Sequence, residues 1–280
     1  MNASLPTAHT ASSGPVPAPR QAAVYANYLA LHHRTAQPSP PTRALEPHSA
    51  PLIFNCGMDL CGAEVAIASV LFGASFLGID ADAALQKSAQ KNRACDFLVN
   101  SLDEALRMIK IAVRKSQPIA VGLLADPADA LTQLATRGVQ PQYLFRPVTY
   151  TALANAQPAL ALFEDRGVQQ LTPADHPRLS AEETLLHWIA ATRSDLAHID
   201  QQMLSLLPEE HRITRHWLQH APAYFLRQST PERVCSLPTT QRAALCAALQ
   251  SPILRSALHG PASLTWTDAN AQPHTLHISP

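Results

Sequence analysis

The sequence predicts an α/β protein with a parallel sheet of about five strands, helices on both faces and a helical carboxyl-terminal extension. From residue 51 onward, short apolar runs alternate with helical patterns, which is typical of a parallel sheet. The run at 119–124 (IAVGLL) is apolar throughout, as a strand buried on both faces requires. Six of the nine glycines fall between residues 57 and 138, so special backbone geometry is needed mainly there.

Residues 1–51 carry nine prolines among Ala, Ser, Thr and His, a composition that cannot offset chain entropy by burial. We therefore expect a mostly disordered tail. Residues 21–33 (QAAVYANYLALHH) are free of proline and rich in helix formers. They predict a short helix that packs Tyr25, Tyr28, Leu29 and Leu31 onto the body of the protein.

The elements of the predicted domain at 52–150 follow in order. Strands are expected at 52–56, 76–80, 97–99, 119–124 and 142–145, and helices at 62–72, 82–93, 101–115 and 126–137. The helix at 101–115 begins with a capping box, because the Ser101 oxygen and the Glu104 carboxylate can each accept from an unpaired backbone amide. Gly138 is expected to end the helix before it in the left-handed conformation.

The segment 151–280 predicts a mainly helical extension. Ser180 and Glu183 repeat the capping-box pattern and predict a long helix at 180–207, ended by Pro208. Its apolar stripe either packs on a second copy or another protein, or covers the chain's own core. Shorter, net basic helices are expected within 209–258, at 209–220, 222–228 and 239–250, and a terminal hairpin at 263–267 and 274–278 around the turn-prone residues 268–271.

Composition excludes several classes of function. Lys plus Arg and Asp plus Glu both number 21, which argues against nucleic acid or an anionic membrane as a partner. No run of eighteen apolar residues predicts a membrane span. Five scattered cysteines do not predict a disulfide framework, and a cytoplasmic location is expected. No further ligand of suitable spacing accompanies Cys56 and Cys61, or His216 and His220 one helical turn apart, so no metal site is predicted.

A glycine-rich turn follows the first predicted strand. Gly57 comes directly after that strand, Gly62 opens the next helix, and Asp80 ends the second strand. Dinucleotide-binding folds bind a pyrophosphate at such a turn. An acidic residue at the end of their second strand accepts hydrogen bonds from the ribose hydroxyls. The spacing is G-x-x-x-x-G rather than G-x-G-x-x-G. The alternative is a tight turn whose glycines serve only packing.

Several blocks in the same order resemble the central NAD-binding domain of urocanase (urocanate hydratase). The resemblance covers about residues 52–145, and its most specific part is SLDEALRMIKIA followed by PIAVGLLADPADALTQLATRGVQPQ. It implies a Rossmann-like domain and tightly held NAD. The cofactor-binding residues that it implies, together with the turn, are the following: Gly57, Met58, Asp59, Gly62, Asp80 and Asp126.

The departures from the urocanase pattern concern the cofactor and the chemistry. Asp59 replaces a glycine of the turn, and Asp126-Pro127 replaces an asparagine-alanine pair. The family's QTSAH segment aligns with 146–150, which differs, and its catalytic cysteine has no counterpart, so no catalytic residue is predicted. An extra negative charge disfavours a pyrophosphate, so NAD is expected to bind weakly or not at all.

We therefore predict a urocanase-related nucleotide-binding scaffold without hydratase activity. Two alternatives remain. One is a non-catalytic interaction module that uses the helix at 180–207, in a homodimer or with another protein, or the basic helices at 209–258. The other is a lyase or hydratase of altered chemistry.

Overall fold

The computed structural model of the chain describes residues 20–35, 50–145, 155–174, 176–267 and 272–280. Residues 1–19 and 36–49 of the predicted tail, and the predicted segments at 146–150 and 268–271, lie outside these ranges.

A six-stranded parallel sheet forms the first half of the structure and confirms the predicted fold class. Its strands are β1 (Leu52–Cys56), β2 (Ser75–Asp80), β3 (Phe97–Val99), β4 (Ala120–Leu124), β5 (Tyr143–Phe145) and β6 (Gln169–Leu171). They lie in the order β3-β4-β2-β1-β5-β6, and every pairing is parallel. The sheet therefore has one strand more than predicted and extends beyond residue 150.

Helices cover both faces of this sheet. They are α2 (Leu60–Leu71), α3 (Ala83–Lys91), α4 (Leu102–Arg114), α5 (Pro127–Thr136) and α6 (Gln157–Asp165). The apolar side chains of α2 belong to one core, and those of α4, α5 and α6 belong to the other. Because the chain leaves β1 toward one face and β5 toward the other, a crevice is expected between the carboxyl ends of these two neighbouring strands.

The predicted helix near the amino terminus is confirmed as α1 (Gln21–Thr35). Tyr25, Tyr28, Leu29 and Leu31 are all buried, as expected. The helix packs on α2 and also on a strand of the second sheet. The two halves of the structure therefore share one of the two apolar cores.

The second half contains an antiparallel sheet that the sequence did not predict as a whole. Its strands are β7 (Glu183–Ala190), β8 (Glu232–Pro238), β9 (Ala262–Thr267) and β10 (Pro273–Ile278), in the order β10-β9-β7-β8. The helices are α7 (Arg193–Leu206), α8 (Arg212–His220), α9 (Thr239–Leu249) and α10 (Pro252–Ala257), with a 3₁₀ helix at Ala221–Tyr224. The predicted terminal hairpin is confirmed by β9 and β10.

The predicted helix at 180–207 is wrong. Its first part is β7, in which Leu186, Trp188 and Ala190 alternate toward the core, and only α7 is helical. Every second side chain of this segment is buried, and the segment pairs with a strand on each side. These contacts outweigh the local helical signal. The predicted run of basic helices at 209–258 is likewise interrupted, because residues 222–228 form only the end of the 3₁₀ helix and a loop, and β8 follows.

Candidate functional site

The glycine turn lies between β1 and α2, at the carboxyl edge of the parallel sheet. Gly57 has a φ of 97°, which favours glycine, and its amide donates to the Ile79 carbonyl oxygen at 2.8 Å. A Cβ on Gly62 would lie 2.1 Å from the carbonyl oxygen of Gly57. Gly57 is therefore required by its backbone conformation, and Gly62 by the close approach of the helix start to the turn.

Asp59 is the N-cap residue of α2. Its Oδ1 accepts from the Gly62 amide at 2.9 Å, and the side chain is exposed. This carboxylate stands where a bound phosphate would otherwise accept from the helix amides. The turn is thus capped by the chain itself, and a pyrophosphate would have to displace a like charge.

Asp80 ends β2 and braces the turn from the neighbouring strand. Its Oδ2 accepts from the Met58 amide at 2.6 Å and its Oδ1 from the Asp82 amide at 2.8 Å. Burial raises the pKa of this carboxyl, and the two amide hydrogen bonds offset the increase only in part. The residue is only 4% exposed. Asp80 therefore has a structural role, because it links the turn after β1 to the turn after β2.

Met58 contributes its backbone to the turn, while its side chain points into the core. The residue is 1% exposed. A Cβ on Gly78 would lie only 2.1 Å from the Met58 Sδ. Glycine at position 78 leaves the space for this side chain. Only the backbone of Met58 is therefore placed to face a ligand.

Asp126 caps α5 rather than joining the glycine turn. Its Oδ1 accepts from the amides of Ala128 and Asp129 at 2.9 and 3.0 Å, and the side chain is exposed. It follows β4, which pairs with β2 and not with β1, so it lies about two strand spacings, ~10 Å, from the end of β1. The structure brings Gly57, Met58, Asp59, Gly62 and Asp80 together and leaves Asp126 apart.

Asn55 is a residue of the site that the sequence interpretation missed. It is fully buried in β1, and its Nδ2 donates to the Gly57 carbonyl oxygen. Among the described residues, its buried Oδ1 has no hydrogen-bond partner. The available signal was an amide side chain within the otherwise apolar strand LIFNC.

Neither Cys56 nor Cys61, which flank the turn, forms a disulfide. Within the described ranges, no group of three His, Cys, Asp or Glu side chains is arranged to hold a metal ion. In the same part of the chain, every helix is too short or too polar to cross a bilayer.

The parallel sheet, the glycine turn after β1 and the acid at the end of β2 define a Rossmann-like scaffold of the nucleotide-binding type. Within this class, residues 46–146 match the family described as Urocanase Rossmann-like domain. The resemblance identified at 52–145 from the sequence is therefore confirmed for this segment.

Two solved structures have low similarity to the chain. One is "The structure of PKMT2 from Rickettsia typhi", with 11% identity, 77% of this chain and 35% of that chain covered, and a TM-score of 0.30. The other is the same protein in complex with AdoHcy, with 12% identity, 70% and 31% covered, and a TM-score of 0.28. This chain thus spans about a third of the length of these proteins.

Proposed function

We propose that the protein is a nucleotide-binding scaffold related to urocanase that does not hydrate urocanate. The observation that carries the proposal is the position of the Asp80 carboxylate beside the glycine turn. Its Oδ2 accepts a hydrogen bond from the Met58 amide at 2.6 Å. A carboxylate has about four acceptor sites, and the backbone uses two of them. The remaining lone pairs can accept from ribose hydroxyls, the function that such an acid has in dinucleotide folds.

The charge of Asp59 sets the expected affinity for NAD. At about 4 Å and an effective dielectric near 20, each contact between this carboxylate and a phosphate would cost up to about 4 kcal/mol before screening. The same side chain also occupies the Gly62 amide. Native affinity for NAD is therefore weak, and the ligand would be held mainly through its nucleoside part.

Replacing Asp59 with glycine should tighten NAD binding at least tenfold, equivalent to about 1.4 kcal/mol, measured by titration calorimetry. The change removes the charge and frees the Gly62 amide, and glycine at an N-cap costs only a few tenths of a kcal/mol. Asp59→Asn removes the charge but keeps the cap, so the difference between the two variants gives the contribution of the freed amide.

Asp126→Asn is the matched control, because it removes another exposed N-cap charge, two strands away. It should change NAD affinity by less than twofold. If neither the native protein nor either Asp59 variant binds NAD, the dinucleotide proposal is wrong and the turn serves packing alone.

We also expect no hydration of urocanate. The match to urocanase is confined to residues 46–146, and the second half of the described chain is an antiparallel sheet with its own helices. The measurement is the ultraviolet absorbance of urocanate over time. A loss that is proportional to protein and abolished by heat would contradict the expectation and favour an enzyme of urocanase-like or altered chemistry.

A further inference from the structure

A pocket of about 350 Å³ opens beside the edge strand β8, and none of its lining residues belongs to the glycine turn. Helix α7 forms one wall, and α8 with the 3₁₀ helix forms the other. The apolar part of the lining includes Leu196, Leu204, Leu218, Pro222, Phe225 and Leu226. Leu226 remains 48% exposed, so the apolar surface reaches the mouth of the pocket.

A buried ion pair, Arg233 with Asp200, contributes to the lining of the pocket. The Arg233 Nε and Nη2 donate to Asp200 Oδ2 at 3.1 and 2.9 Å, and the Trp188 Nε1 donates to Asp200 Oδ1 at 3.2 Å. The Arg233 Nη1 donates to Gln21 Oε1 at 3.3 Å. A buried ion pair is seldom a net gain in stability over apolar packing. Its place in the lining of a largely apolar pocket is the arrangement expected of a binding site.

The lining carries two arginines and two carboxylates, so its charges balance in number but are not paired one to one. Arg233 and Asp200 neutralise each other, and the Glu232 carboxylate is engaged by the His187 Nε2 at 2.9 Å. Arg193 is exposed at the start of α7, and its Nη2 donates only to a backbone carbonyl oxygen, that of Gln228, at 2.8 Å. Among the described lining residues, Arg193 is therefore the cation without a carboxylate partner.

We infer that this pocket binds a small organic acid with one carboxylate and an apolar chain. The carboxylate is held by the Arg193 guanidinium, whose planar donors match it in geometry. The apolar chain lies between α7 and α8 and removes the exposed part of Leu226 from water. The inference is independent of the nucleotide proposal, because the two sites share no residue.

Octanoate is the probe, added to the full chain and measured by titration calorimetry together with tryptophan fluorescence. The Trp217 ring lies 6.1 Å from that of Phe225 in the pocket wall, so its emission should respond to binding. We expect saturable binding of octanoate, with 1-octanol and octylamine at least tenfold weaker. The uncharged and cationic probes carry the same chain, so the comparison isolates the carboxylate.

Two variants locate the binding. Ala197 lines the pocket from an exposed position on α7, so Ala197→Phe should fill the space and abolish octanoate binding without disturbing the core. Arg193→Gln should weaken it about tenfold, while Arg212→Gln, an exposed arginine outside the lining, should leave it unchanged. No saturable binding of octanoate by the native protein, or equal binding by Ala197→Phe, would overturn the inference.

Discussion

Replacing Asp200 with alanine should lower the free energy of unfolding by about 3–5 kcal/mol, because it leaves the Arg233 guanidinium buried without its counter-charge. The side chains of Arg233 and Asp200 are only 3% and 8% exposed. Burial raises the pKa of Asp200, and Arg233 offsets the increase only in part. The loss should appear in urea-induced unfolding followed by circular dichroism.

The chain supplies a matched control in the exposed ion pair of Arg137 and Asp103, whose side chains are 40% and 80% exposed. Asp103→Ala should cost less than about 1 kcal/mol, since exposed pairs contribute little. Changing Asp200 to leucine and Arg233 to methionine together should recover most of the stability lost in Asp200→Ala. A loss in Asp200→Ala no larger than that in Asp103→Ala would show that the Arg233 charge becomes hydrated once Asp200 is removed, which contradicts the prediction.

Replacing Asp80 with alanine should lower the free energy of unfolding by roughly 2–5 kcal/mol. The change leaves the buried Met58 amide without an acceptor, which costs about 1–3 kcal/mol. It also breaks the part-buried hydrogen bond from the Asp82 amide, which contributes about 0.5–1.5 kcal/mol. Asp126→Ala, which removes an exposed N-cap aspartate, should cost only about 1 kcal/mol. Thermal and urea unfolding of the two variants side by side give the comparison.

The same variant bears on the proposed ligand. If Asp80 also receives ribose hydroxyls, NAD binding in the Asp59→Gly background should weaken when Asp80→Ala is added, measured below the unfolding transition. If Asp80→Ala is no less stable than Asp126→Ala, Asp80 does not stabilise the two turns as proposed. Unchanged NAD affinity in the folded double variant would contradict the contact with ribose.

The parallel sheet could be predicted because its signals are local. Each of the five predicted strands is a largely apolar run of a few residues, whereas β6 (QQL) is mostly polar and was not predicted. The aspartates that precede α2, α3 and α5 stand directly before the helices that they cap. Ser101 is a partial exception. It holds the N-cap position of α4 as predicted, but its side chain makes no capping hydrogen bond.

The second sheet could not be predicted in the same way, because its pattern depends on partners far along the chain. Ser180 and Glu183 do form the local contact, with the Ser180 amide donating to Glu183 Oε2 at 3.1 Å. The chain then continues as β7, since Leu186 and Trp188 pair with β8 and β9. The contact between Asp200 and Arg233 likewise has no local signal, and the sequence interpretation counted Arg233 only as part of a basic excess.

The position of α1 makes folding depend on the order of synthesis. The Tyr25 hydroxyl lies 2.8 Å from the Ser236 Oγ, a contact between residues 211 apart in the chain. During synthesis α1 therefore lacks its contacts with β8 until that strand has been made. Contacts of such separation slow folding, because a long loop must close before they form. Synthesis of the antiparallel sheet, rather than assembly of the parallel sheet, thus determines when the shared core closes.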